Sequence, residues 1–470
     1  MTETAGSLTW LATALVGAST LYWVHGVVKK HERRATLKRI AERAVEECHQ
    51  TVQACLSHPA DESAVYSVKE TRDLVKRTTL NPAQNVLNLA KRCRKYGRGK
   101  VNAITEELYD DAYETALILD NNSAIDKASP LYGVAVSIKD CINQKGYYAS
   151  AGLACRMHER STNDALIVQV LKKAGAIPLC RGNVPQLLMA MESNNRVWGR
   201  TLNPWDLSRT PGGSTGGDAA LVAMRCVPLA CGSDVAGSCR IPASFCGVVG
   251  FKTTGLRLSL QGCMRPRKDN RNGTSMTIPT TAGPLARTVD GCAAFMKAVC
   301  VPELWNSDLS LPRLPFDNGE YTKTAPLKIG FFKTDEWFAP CAAARRGLEE
   351  TIAALEKAGH TLVPFEPPAN GWETNRILVG VNAADGNMRG YAEALEGEEF
   401  GDEYKFLYSI ANMPNYVRFF AKLAIDKRRR SLLKCASKCL LFRCHDTWYF
   451  VQCLSNIASS MHRLWRAQCS

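Results

Sequence analysis

From Leu8 to Val28 the chain runs through 21 largely apolar positions without a formal charge, and Lys29-Lys30-His31-Glu32-Arg33-Arg34 follows at once. A run of that length is long enough for a helix to cross the hydrocarbon core of a bilayer, and a basic flank marks the cytoplasmic side. The pattern predicts a tail over 1–7, a transmembrane helix over 8–28 and a body facing the cytoplasm. An endomembrane such as the endoplasmic reticulum is the expected location. A cleaved signal peptide would carry its basic residues before the apolar run, and a helix lying on the membrane surface is the remaining alternative.

Beyond the basic cluster the period changes. Lys38 to Val52 carries Ile40, Ala41, Ala44 and Val45, and Pro82 to Arg94 carries Val86, Leu87, Leu89 and Ala90, both at near-helical spacing. Residues 29–125 therefore read as a helical arm. From 126 onward short apolar runs stand beside glycines: Gly133 to Ile138 as a strand, Asp164 to Ala174 as a helix, Ala176 to Cys180 as a strand, then a helix from Asp218 to Met224 and a strand from Val227 to Gly232. Strands alternating with helices favour a layered α/β core. Pro312, Pro315, Asn318 and Gly319 suggest a linker over 310–320, ahead of a second α/β stretch around Leu327 to Phe332 and a helix from Ala342 to Ala358.

Composition narrows the function classes. With 470 residues, 46% apolar and 22% charged, the chain is an ordinary globular sequence able to bury a large core. The net charge of +14 comes without zinc-finger spacing, an RNA-recognition aromatic pair or a basic stripe interleaved with aromatics, so nucleic acid is not an expected partner. Nineteen cysteines are scattered with no Cys-x-x-Cys pair, which suits small buried side chains in a reducing compartment. No metal and no cofactor is implied.

Three positions carry candidate chemistry. Ser214 lies in the loop Gly212-Gly213-Ser214-Thr215-Gly216-Gly217, Ser238 follows 24 residues later in Gly232-Ser233-Asp234-Val235-Ala236-Gly237-Ser238, and Lys139 lies 75 residues before Ser214. A serine hydroxyl is a poor nucleophile until a base takes its proton. Lysine can be that base in a crowded pocket, because desolvation disfavours the ammonium form. The glycines around Ser214 allow positive φ and close backbone approach. Val235, Ala236, Gly237 and Ser238 offer consecutive amides to a developing oxyanion. Two other readings fit the same loop: a plain turn or anion nest, and a Gly-x-Ser-x-Gly nucleophile elbow with Ser214 as nucleophile and His360, His445 or His462 as its base.

The stretch Pro211 to Gly217, Gly232 to Ala243, Cys246-Gly247, Gly250 to Gly255 and Gly283 to Arg287 together resemble the amidase signature family, over about Pro130 to Cys300. The N-terminal apolar run, Asn183-Val184-Pro185-Gln186 and Asn203-Pro204-Trp205 make the chain most similar to the integral-membrane branch of that family, which cleaves fatty acid amides. The resemblance implies an α/β amidase signature fold, a mixed twisted central sheet covered by helices, here with an N-terminal transmembrane helix and a catalytic domain over 126–470. It implies Ser238 as nucleophile, Ser214 as a bridging serine preceded by a cis peptide bond, and Lys139 as base, in place of the elbow. It puts the oxyanion amides at Val235, Ala236, Gly237 and Ser238, bracing at Asp234 and Arg240, a second hydroxyl at Thr215, and acyl-channel residues at Leu188 and Met189.

The implied activity is membrane-bound hydrolysis of long-chain N-acylethanolamines and primary fatty amides to fatty acid and amine, with lipid amides and the membrane as partners and a homodimer as a further expectation. Tyr416 to Leu423, followed by Lys427 to Arg430, resembles a membrane-binding cap. By the same resemblance the chain ends roughly 100 residues early, a C-terminally shortened form. The alternatives are a catalytically impaired membrane partner of a full-length amidase and a general amidase or esterase acting on soluble substrates.

Overall fold

The computed structural model describes residues 3–412 except 52, 122–125, 265–278, 336, 375–376 and 378–388. The chain divides into two units, the first made of residues 1–316 with 391–401 and the second of 317–390 with 402–470.

The first unit opens on helix α1 (Glu3–Gln50), whose backbone continues without a break through residues 8–28. In its second half Leu37, Ala41, Ala44 and Cys48 are buried. They recur at intervals of four and three, which puts them on one face of a helix. Among the described residues no helix is long and apolar enough to cross a membrane. A spanning helix needs about 20 consecutive, predominantly apolar residues, and no described helix meets that requirement. This corrects the expected transmembrane helix over 8–28. The single-pass topology, the membrane as a partner, the endoplasmic-reticulum location and the membrane-bound character of the expected lipid-amide enzyme are corrected with it. The cap expected at 416–430 lies outside the described residues.

The segment up to residue 121 is mostly helical, with α2 (Val68–Lys76), α3 (Pro82–Arg92) and α4 (Tyr109–Asn121), but it also contributes strand β1 (Ile104–Glu107). The starts of α2 and α3 are set locally: Ser67 and Glu70 form a reciprocal capping box, and Asn81 caps a helix with Pro82 in its first turn. Around β2 (Ala135–Lys139) and β3 (Ile177–Gly182), α5 (Leu166–Lys173) makes the crossover. A short hairpin of β4 (Asn194–Asn195) and β5 (Gly199–Arg200) precedes α6 (Gly216–Ala223), β6 (Leu229–Asp234), α7 (Arg240–Cys246), β7 (Val249–Gly250), β8 (Thr281–Ala286) and α8 (Val289–Val299).

The central sheet has six strands in the order β1-β3-β2-β6-β8-β7. β2 is parallel to both β3 and β6, while β1, β8 and β7 join antiparallel, so the sheet is mixed. Alternation along β2 divides the core between the two faces. Ala135 joins a cluster with residues of α3, α4 and α6, whereas Val136 and Ile138 join one with residues of α5 and α8. Cys263 and Cys341 apart, the cysteines among the described residues are buried. In the second unit β9 (Lys328–Phe331) and β10 (Thr361–Pro364) pair in parallel around the helix Ala342–Lys357.

Candidate active site

Ser137 and Lys139 are two apart on β2 and share its α6-facing side, with Ala135. Lys139 is fully buried. Its Nζ donates to Ser214 Oγ at 2.8 Å, to Ser233 Oγ at 3.0 Å and to Ser233 O at 3.3 Å. All three acceptors are neutral oxygens, and no carboxylate lies within ion-pair distance of Nζ among the described residues.

Ser214 sits at the N-terminal approach to α6, buried, after a cis peptide bond from Gly213. Of the four glycines around it only Gly212 has a positive φ, +85°. The others permit close approach: a Cβ on Gly213 would stand 2.7 Å from the Ala190 carbonyl. That contact brings the chain just after Leu188 and Met189 against the Ser214 loop. Leu188 is buried and Met189 half-buried, at the end of a turn where Leu187 and Leu188 hold φ of +60° and +62°. Of the histidines named for the elbow, His445 and His462 lie outside the described residues, and His360 accepts from the Leu327 amide at 3.1 Å. Among the described residues the basic group on Ser214 Oγ is the amine of Lys139.

The third segment is the turn after β6. The Thr215 amide donates to Ser238 O at 3.1 Å and Thr215 Oγ1 to Ser233 O at 3.3 Å, so the loop of Ser214 and the turn of Ser238 are tied side by side. Ser238 itself is partly exposed, and its hydroxyl has no hydrogen-bond partner among the described residues. Asp234 fixes the turn. Its carboxylate accepts from the amides of Gly237 at 2.8 Å and Cys239 at 3.0 Å, and from Arg240 through Nε at 3.1 Å and Nη2 at 3.0 Å. Burial acts to raise the Asp234 carboxyl, but the Arg240 guanidinium and the two amides outweigh it and hold it below the usual range. Gly237 has φ of +122°, a conformation open to glycine. Ala236 keeps a negative φ, so its methyl adds no backbone strain.

The Gly237 amide is therefore already engaged by Asp234. The amides of Val235, Ala236 and Ser238 have no partner among the described residues and face no such competition.

Sequence reasoning passed over two groups. Ser233 holds Lys139 through both its hydroxyl and its carbonyl. Asp218, fully buried on the first turn of α6, accepts from Ser137 Oγ at 2.6 Å. Burial pushes its carboxyl up to about 7, against the Ser137 hydrogen bond and the charges of Lys139 and Arg181. Burial likewise raises the nearby Cys141 thiol, and takes Cys239 to about 12. The one sequence signal for Ser233 and Asp218 is an acid or hydroxyl inside an otherwise small-residue run, which does not say what it faces.

A family model described as Amidase matches residues 84–434. The vitamin D3 hydroxylase-associated protein of Gallus gallus is 38% identical over 61% of this chain and 61% of its own length. Fatty-acid amide hydrolase 1 of Sus scrofa is 37% identical over 61% of this chain and 49% of its own. The chain thus spans about half to three fifths of the length of these relatives. Among solved structures, a fatty acid amide hydrolase superposes with a TM-score of 0.72 at 20% identity, over 94% of this chain and 76% of the other. A bacterial aryl acylamidase of the amidase signature enzymes gives 0.62 at 21% identity, over 79% and 74%. At these identities the structural likeness bears on the fold alone.

Proposed function

Because the chain belongs to the amidase family, we propose that it hydrolyses amides through Lys139 as base, Ser214 as relay and Ser238 as nucleophile. The observation that carries this reading is the wholly buried Lys139 amine at 2.8 Å from Ser214 Oγ, with the Ser238 turn tied to the next residue, Thr215. Lys139 takes the Ser214 proton as Ser214 takes that of Ser238. Ser238 Oγ bonds the carbonyl carbon, and the oxyanion meets the amides of Val235, Ala236 and Ser238. When the C–N bond breaks, the proton returns through Ser214 to the leaving amine. Water then attacks the ester by the same route, releasing the acid and restoring Ser238.

Asp234 and Arg240 hold the turn, and Thr215 ties it to the relay loop. Leu188 and Met189 would offer an apolar surface to the acyl side. The substrate class is a carboxamide of general kind, with esters as secondary substrates.

Mass-spectrometric mapping of a fluorophosphonate probe on the full chain tests this, alongside Lys139→Ala, Ser214→Ala and Ser238→Ala. The expected adduct is on Ser238 and is slowed by loss of Lys139 or Ser214. An adduct on Ser214 that survives Ser238→Ala would replace the relay with the elbow. No adduct on folded protein would favour a catalytically silent partner.

A further inference from the structure

Two consecutive residues near the Ser214 loop hold a backbone conformation that side chains disfavour. Leu187 and Leu188 have φ of +60° and +62°. Such a conformation costs free energy and persists only where its surroundings over-determine it. Both leucines are buried, Leu187 completely. The Leu187 amide donates to Ala151 O at 3.1 Å and the Leu188 amide to Pro185 O at 3.1 Å. The rest of the hold falls on Gln186, the residue before them.

Gln186 is held by its backbone and by its side chain. Gly152 lies so close that a Cβ there would stand 2.9 Å from both Gln186 N and Gln186 Cα. The side chain reaches residues 391–401, which return from 213 and 215 positions along the chain: Nε2 donates to Glu399 O at 3.0 Å and Oε1 accepts from the Gly401 amide at 2.7 Å. One partner is a backbone acceptor and the other a backbone donor, so the two bonds fix the side-chain amide in one orientation.

Residues 391–401 are in turn tied to the body. Arg33 Nε on α1 donates to Glu396 O at 2.7 Å, and Arg34 pairs with Glu399 at 2.5 Å. Arg196 donates to Glu399 Oε2 at 3.2 Å, and Glu398 Oε1 accepts from the Cys155 amide at 2.5 Å. This strap therefore runs from α1 to Gln186. Past the turn, the Ala190 carbonyl lies against Gly213, the residue before Ser214.

We propose that Gln186 is a positioning residue for the acyl subsite: by clamping the strap to the base of the Leu187–Leu188 turn it holds Leu188 and Met189 in place, and so sets how strongly the reaction selects among acyl chains. A strained turn keeps its shape only while it is held, and an apolar wall selects best when it is fixed before the substrate arrives. Neither hydrogen bond of the Gln186 side chain involves Lys139, Ser214 or Ser238. The inference rests on the reading of Ser238 as nucleophile with Leu188 and Met189 on the acyl side.

The test is the second-order rate of Ser238 labelling in the full chain by fluorophosphonates with methyl, butyl or octyl chains on phosphorus, kept below their micelle concentrations. Wild type, Gln186→Met and Arg34→Ala are compared, with Tm on each. Gln186→Met keeps a side chain of similar length and removes both hydrogen bonds. Wild type should favour octyl over methyl, and in Gln186→Met that ratio should fall about tenfold, roughly the worth of two methylenes withdrawn from an apolar site. Arg34→Ala loosens the strap at α1 and should lower the ratio by less; it carries the test if Gln186→Met does not fold. A merely structural role slows all three probes alike, so an unchanged or raised ratio in the folded variants overturns the inference. Labelling of wild type at Ser238 without chain preference overturns it too and leaves the catalytic reading standing. No labelling of wild type by any probe removes the catalytic reading itself, and this inference with it.

Discussion

Two buried basic side chains sit on neighbouring strands of the same sheet and are treated differently. Arg181 on β3 lies between Glu106 and Asp140, at 3.6 Å and 3.9 Å, and donates to two carbonyls. Lys139 on β2 has hydroxyls and one carbonyl around it and no carboxylate within ion-pair distance among the described residues. A buried charge that is paired and hydrogen-bonded braces a fold, and one that is not is available for proton transfer. On the proposed reading, that difference assigns Arg181 to the fold and Lys139 to the chemistry.

Substitutions can break that distinction. The largest expected effect is at Lys139. Lys139→Met removes a base worth about 10²–10⁴ in rate, so labelling of Ser238 should fall by that factor with circular dichroism unchanged. If it unfolds the chain instead, Lys139 belongs with Arg181. Arg181→Met should do the reverse: it strands Glu106 and Asp140, and urea unfolding should show a loss of about 3–5 kcal/mol. A residual labelling rate per folded molecule close to wild type would keep Arg181 structural.

Glu106 sharpens the comparison through pH. Burial pushes its carboxyl up to about 7 in spite of Arg181 and Arg160. Because the folded-state value is raised, its contribution is fully present below the ordinary glutamate range and is lost as pH rises through about 7. Wild-type stability should therefore fall between roughly pH 4 and 7, and Glu106→Gln should flatten that slope; an equal slope in the variant would assign it to other groups. At the small end stands the exposed pair Arg43–Glu47 on α1, at 3.2 Å. Arg43→Ala should change stability by no more than about 0.5 kcal/mol, and a larger loss would mean that this face of α1 carries an unseen contact.

The candidate site was legible where chemistry is local. Ser214 and Ser238 stand in short glycine-rich runs and Lys139 at the end of an apolar strand, residue types that suggest a nucleophile, a relay and a base, while the bracing pair Asp234 and Arg240 came from the family resemblance. Ser233 and Asp218 were not legible in the same way. Their roles depend on the register of β2 against β6 and on the approach of α6 to β3, and neither is written in a run of residues. The apolar run over 8–28 shows the opposite error: composition suggested a spanning helix, but among the described residues none is long and apolar enough.

The sequence by itself determined that the body is an α/β core, where the strand and helix runs lie, and which serines and lysine are candidates, because periodicity and glycine-rich turns act over a few residues. Only the tertiary structure decided that Ile104–Glu107 adds an edge to the sheet, that Asp234 occupies the Gly237 amide, and that Lys139 is buried among hydroxyls while Arg181 is buried among carboxylates. Pairing register, desolvation and the direction of a buried charge arise between segments far apart in the chain, and no local pattern encodes them.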